Sequence, residues 1–208
     1  MSDEESITIY SDYVCPFCYL GRQSLDQYQA DRGSDLEIDW HPFDLRADKR
    51  GPGGEIDHSV DDGKDEEYYE KAKENVRRLQ EEYGVEMDLD LATEVDSMPA
   101  QVASHYVKEE YPYEQWLAFD EAIFEAVWQE NRDVGDPDVI ADLADEVGLD
   151  GEEIRDVIED EDRREKVQSL SEMARRQGVS GVPTFVYEGT AARGAVPPEH
   201  LQRLVEGE

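Results

Sequence analysis

The only two cysteines, Cys15 and Cys18, stand three residues apart, between a strand-like run and a helical pattern. Ile7 to Tyr10 reads as a short strand, followed by Ser11-Asp12-Tyr13. After the cysteines, Phe17, Leu20, Gly21, Leu25 and Tyr28 recur on one helical face. Pro16 suits the first helical turn, where its missing N–H is not needed, and Gly33 stops the helix. Leu36 to Trp40 then alternates as a second strand, with Leu36, Ile38 and Trp40 on one side. The order is strand, Cys-x-x-Cys at a helix start, strand. A disulfide across two residues closes too small a loop to stabilise a domain this size. The pair is therefore present for reactivity or for metal. Structural zinc takes four ligands, and His41, His58, His105 and His200 show no ligand spacing, so no metal is expected. His105 reads as an ordinary core or interface histidine. A cysteine at a helix N-terminus meets unpaired N–H groups and the positive end of the helix dipole, which favour its thiolate.

Charge narrows the partners. Of the 208 residues, 54 are acidic and 20 basic, a formal net charge of −34. Nucleic acid and anionic membranes both require a basic face, so neither is an expected partner. Apolar residues still recur with helical and strand periods throughout, which argues for a folded chain with an acidic, hydrated surface rather than disorder. The basic residues are 14 Arg and six Lys. Acid excess with scarce lysine suggests a salt-rich cytoplasm, where screening mutes self-repulsion, and hence a halophilic source. The start, Met-Ser-Asp-Glu-Glu-Ser, is acidic where a secretory signal is basic and then apolar. No apolar run approaches a membrane span. A cytoplasmic location is the expectation.

Residues 46–64 carry Gly51, Pro52, Gly53, Gly54 and Gly63 among charges and read as a long, solvated loop. Residues 65–177 read as entirely helical. One helix runs from about Glu66 to Tyr83, with Tyr69, Ala72, Val76, Leu79 and Tyr83 as its buried stripe. Further helices start at Pro99, around Trp116, after Asp136-Pro137, at Gly151 and at about Asp162. Strand character returns at Thr184 to Tyr187 and around Ala192 to Ala195, and a last helix covers Pro198 to Val205. The fold class expected is α/β, a βαβ…ββα sheet domain with an all-helical insertion. Residues 1–64 and 178–208 form the sheet domain and 65–177 the insertion, because the sheet needs strands from both ends.

A second motif follows the last helix of the insertion: Gly178-Val179-Ser180-Gly181-Val182-Pro183-Thr184-Phe185. Taken alone it is a strand start after a helix stop. Together with Asp12-Tyr13-Val14-Cys15-Pro16-Phe17-Cys18-Tyr19-Leu20-Gly21 it resembles the DsbA family of thioredoxin-like proteins, and within it the FrnE-like branch. Trp40-His41-Pro42-Phe43-Asp44-Leu45, Ala122-Ile123-Phe124 and Asp133-Val134-Gly135-Asp136 look familial as well. Gly194-Ala195 resembles a family Gly-Ala-Gln, with Val196 in place of the amide.

The resemblance implies a thioredoxin-like fold and dithiol–disulfide exchange on protein or peptide substrates, with no organic cofactor. Cys15 would be the nucleophile and Cys18 the resolving partner. Pro183 would be cis and face the cysteine pair, with Val182 pairing its backbone to a substrate strand beside Pro16 and Phe17. Phe17 cannot donate a hydrogen bond to a thiolate, unlike the His of strongly oxidising relatives, so a less oxidising couple is expected. Kappa-class glutathione transferases and 2-hydroxychromene-2-carboxylate isomerases look similar overall but carry a serine-type residue at the first catalytic position. That leaves an enzyme acting on a small thiol adduct, or a non-enzymatic binding module, as alternatives.

Overall fold

Four strands and eight helices make up the computed structural model, which describes residues 5–33, 36–61, 63–64, 66–89 and 95–207. Strand β1 (Ser6–Ser11) leads into helix α1 (Pro16–Asp31) and strand β2 (Glu37–Pro42). Helices α2 (Glu66–Tyr83), α3 (Met98–Glu110), α4 (Tyr113–Trp128), α5 (Pro137–Glu146), α6 (Gly151–Glu159) and α7 (Glu161–Arg176) follow. Strands β3 (Thr184–Tyr187) and β4 (Thr190–Arg193) and helix α8 (Pro198–Glu206) complete the chain. The sheet order is β2-β1-β3-β4, with β1 parallel to β2 and antiparallel to β3, and β3 antiparallel to β4. The α/β architecture expected from the two ends of the sequence is therefore present.

The period-2 pattern placed Leu36, Ile38 and Trp40 inward, and all three are buried. A single apolar cluster runs from these side chains through Tyr13 and Phe124 to Trp116 and Trp128 of α4, so the helical block shares its core with the sheet. Acidic residues contribute locally to the helices. Asp136, Asp150 and Asp160 cap the N-termini of α5, α6 and α7, each accepting backbone N–H bonds that the helix cannot satisfy itself. Among the described residues no helix is long and apolar enough to cross a membrane.

Three expectations shift. The last strand lies at Thr190–Arg193 rather than around 192–195, because Glu188 and Gly189, both at positive φ, make a two-residue turn and pairing resumes directly after it, Thr190 against Tyr187. On α2, Val76, Leu79 and Tyr83 are buried, whereas Tyr69 is exposed and Ala72 half-buried. The first turns of that helix pack less closely on the core than its last. Residues 46–64 are not simply a solvated loop. A 3-10 turn at Ala47–Lys49 and a bridge between Arg50 and Ile56 fold part of the segment back on itself. Arg50 anchors it, donating to Asp44 at 2.5 Å, to Asp96 at 2.8 Å and to the Gly54 carbonyl at 2.8 Å.

Candidate active site

Strand β1 ends in a tight turn in which the Cys15 N–H donates to the Asp12 carbonyl at 3.1 Å. Cys15 is then the N-cap residue of α1, in extended conformation, with Pro16 in the first turn. Its carbonyl accepts from the N–H of Cys18 at 3.0 Å and of Tyr19 at 3.3 Å. Cys15 thus stands at the positive end of the helix dipole and Cys18 one turn inside it. Both are free thiols. Both are also buried, Cys15 at 5% exposure and Cys18 at 2%, so they differ little in accessibility. Pro16 and Phe17 flank them, half-buried.

The Val182–Pro183 peptide is cis. The Cys15 thiol donates to the Val182 carbonyl at 3.6 Å, joining residues 167 positions apart. Gly21 makes this approach possible. A Cβ built there would lie 2.9 Å from Pro183 Cγ and 3.1 Å from Phe185 Cζ, closer than side-chain packing accepts. The glycine in the Cys-x-x-Cys helix thus lets α1 lie against the start of β3. Val196 packs against the core, and its carbonyl accepts from Ser24 Oγ at 2.7 Å, tying α1 to the segment after β4.

Behind the thiols lies a buried polar layer. Burial, then the adjoining Cys15 sulfur, push the Cys18 thiol well above its usual range. Asp12 is fully buried, and its carboxylate accepts from the N–H groups of Val14 at 3.2 Å and Leu45 at 2.9 Å. Burial and the neighbouring Asp44 raise it to about 6. The Tyr13 hydroxyl donates to Asp120 Oδ1 at 2.8 Å and lies 2.6 Å from Ser104 Oγ, which accepts from Trp116 Nε1 at 3.1 Å. Trp128 Nε1 donates to the Tyr13 carbonyl at 2.9 Å. Asp120, also fully buried, is raised to about 6 by burial, against the pull of Arg22 at 3.5 Å. Helices α3 and α4 therefore grip the turn that carries Cys15.

The model of the DSBA-like thioredoxin domain matches residues 6–206. The chain belongs to this family. Among curated relatives, the DSBA-like chain is 29% identical over 204 residues to the uncharacterized protein YwbO of Bacillus subtilis, covering 97% of this chain and 96% of that one. Among solved structures it is similar to a probable DsbA oxidoreductase, SCO1869, from Streptomyces coelicolor. That match has a TM-score of 0.77 and 22% identity over 97% of this chain and 88% of the other. It is also similar to a 2-hydroxychromene-2-carboxylate isomerase, with a TM-score of 0.72 and 20% identity over 91% and 89%.

Of the residues singled out in sequence, Cys15, Cys18, Val182 and Pro183 come together, and Pro16 and Phe17 adjoin them. His41 contacts Asp39 at 3.1 Å and the Tyr10 ring instead. His105 is half-buried beside Glu109 at 3.5 Å, as an ordinary interface histidine would be. Asp120 and Arg22 escaped the sequence reading. The signal available was an aspartate within the apolar helix Trp116 to Trp128, at a position facing the core.

Proposed function

We propose that this DSBA-like domain is a thiol–disulfide oxidoreductase acting in the cytoplasm on protein or peptide disulfides, of FrnE-like type. Cys15 is the nucleophile and Cys18 the resolving thiol. The observation that carries this reading is the Cys15 sulfur at the N-cap of α1, 3.6 Å from the carbonyl that precedes Pro183. The Cys15 thiolate attacks one sulfur of a substrate disulfide. A Cys15–substrate bond forms, and the other substrate sulfur leaves as a thiolate. Cys18 then gives up its proton and attacks Cys15. The Cys15–Cys18 disulfide forms, and the second substrate sulfur leaves. The substrate gains two electrons and the enzyme dithiol loses two. Once the Cys15 proton is gone, the Val182 carbonyl is released from that thiol and can accept a backbone N–H from an extended substrate, with Pro16 and Phe17 flanking it. The division into a sheet domain, 1–64 and 178–208, and an inserted helical domain, 65–177, is part of this reading. It is supported by the sheet drawing its strands from both chain ends.

The test is insulin reduction with two single mutants. Cys18→Ser should form a mixed disulfide that survives on a non-reducing gel until thiol is added, while Cys15→Ser should trap almost none. Both should lose turnover. Equal trapping by the two mutants would reverse or abolish the assigned roles. A glutathione adduct on Cys15 with no protein disulfide turnover would favour an enzyme of small thiol adducts.

A further inference from the structure

Cys18 forms part of the wall of a small cavity that it shares with Ser11, Arg22, Trp40, Asp120 and Phe124. About 10 Å³ of it is open to the centre of a water-sized sphere, room for about one water molecule. The cavity is polar on one side. Asp120 is fully buried and Arg22 nearly so. Arg22 Nε and Nη2 and Asp120 Oδ2 make no hydrogen bond among the described residues, and their ion pairs are long: Arg22 Nε to Asp26 at 3.4 Å, Nη2 to Glu121 at 3.6 Å, and Nη1 to Asp120 Oδ2 at 3.5 Å. Buried donors and a buried carboxylate oxygen left without hydrogen bonds are costly, and a water bonded to two or more of them offsets that cost. The site lies where the disulfide-exchange reading above needs a proton acceptor, because Cys18 must lose its proton to attack Cys15.

We propose that this cavity holds a water that relays the Cys18 proton to Asp120, so that Asp120, contributed by helix α4, is the proton acceptor of the resolving step. The proton passes from Cys18 Sγ to the water, and a proton of that water passes to Asp120 Oδ2. The Cys18 electron pair forms the S–S bond to Cys15, and the Cys15–substrate pair leaves with the substrate sulfur. Asp12, the other carboxylate near Cys18, already accepts an N–H on each oxygen, from Val14 and from Leu45, and does not line the cavity. Asp120 has one oxygen free of hydrogen bonds, and Tyr13 holds the other. The groups facing Asp120 are Arg22 and Asp26 of α1, Tyr13 of the β1–α1 turn and Glu121 beside it on α4. Cys18 faces Cys15 and Asp12 as well. With Asp120 raised to about 6, its carboxylate form is available to accept a proton near neutrality.

The experiment mixes the reduced full-length protein with the chromogenic disulfide dithiobis(nitrobenzoate) in a stopped-flow instrument. The first release of nitrothiobenzoate reports attack by Cys15, and the second reports resolution by Cys18. This leaving thiolate needs no proton, so the pH dependence of the second release isolates Cys18. In the wild type the second release should accelerate as pH rises through about 6, and should slow in deuterium oxide. In Asp120→Asn it should be roughly 10²-fold slower at pH 7, the usual contribution of a positioned base, and recover as hydroxide rises. A wild-type second release with no rise between pH 5 and 7 overturns the proposal without recourse to any variant. So does an Asp120→Asn second release of unaltered rate and pH dependence, or a slowing confined to Asp12→Asn. Absence of the first release from the wild type overturns the disulfide-exchange reading, and the relay with it.

Discussion

Gly21→Ala isolates the contact between α1 and β3. The substitution has two opposing effects. Alanine in a helix interior is favoured over glycine by about 1 kcal/mol. The new methyl would lie 2.9 Å from Pro183 Cγ and 3.1 Å from the ring of Phe185, itself fully buried. Something must move, and overpacking of this kind costs about 1–3 kcal/mol. The net expectation is a loss of about 0–2 kcal/mol, with its middle near 1 kcal/mol, or a Tm lowered by roughly 2–4 °C for a chain of this size. The movement separates α1 from the segment at 182–185, so the 3.6 Å contact between Cys15 and Val182 should lengthen and insulin reduction should fall. Gly33→Ala is the control. A Cβ there meets nothing within 4 Å, so the change should leave Tm and activity as they are. Thermal denaturation by circular dichroism and the insulin assay read both variants side by side. A Gly21→Ala protein more stable than the wild type and fully active would refute the argument, since helix propensity alone would then account for the result.

Two further outcomes follow from the buried charges. Removing Arg50 leaves Asp44, whose side chain is 2% exposed, without its ion partner, so Arg50→Ala should cost about 3–5 kcal/mol in urea denaturation. An Arg50→Ala midpoint matching the wild type would mean the 46–64 segment is not anchored through this pair. Asp12 supplies a pH effect. Its folded-state value is about 6 against 3.8 for the free side chain, so between these the folded protein holds a proton that the unfolded chain has released. Its stabilising contribution is complete below about pH 3.8 and is lost as pH rises to about 6, a change of roughly 3 kcal/mol. Asp120 acts in the same direction over the same window, so Asp12→Asn should lessen rather than abolish the fall in stability between about pH 3.8 and 6. An unchanged fall in that variant would show that Asp12 does not take up the proton.

Local pattern made much of this protein legible in its sequence. The period-2 run at Leu36–Trp40, the helical face of Phe17 to Tyr28, and Pro16 after Cys15 depend on neighbours a few residues away, so the βαβ unit and the place of the cysteines in it could be read directly. The resemblance of the Val182-Pro183 segment to a family motif supplied its pairing with Cys15 across 167 positions, which no local rule contains. What sequence could not assign were roles that depend on burial and on partners remote in the chain. Arg50 reads as one more charge in an acidic loop until Asp44 and Asp96 are seen on either side of it. Tyr69 matches a buried stripe by spacing, yet the first turns of α2 leave it exposed. Asp120 occupies an ordinary position in an apolar helix, and only the packing of α4 against α1 brings it to the cavity beside Cys18. Hydrophobic periodicity tells which face of an element turns inward; which polar groups then meet inside is decided by how the elements cross, and that is a property of the folded chain.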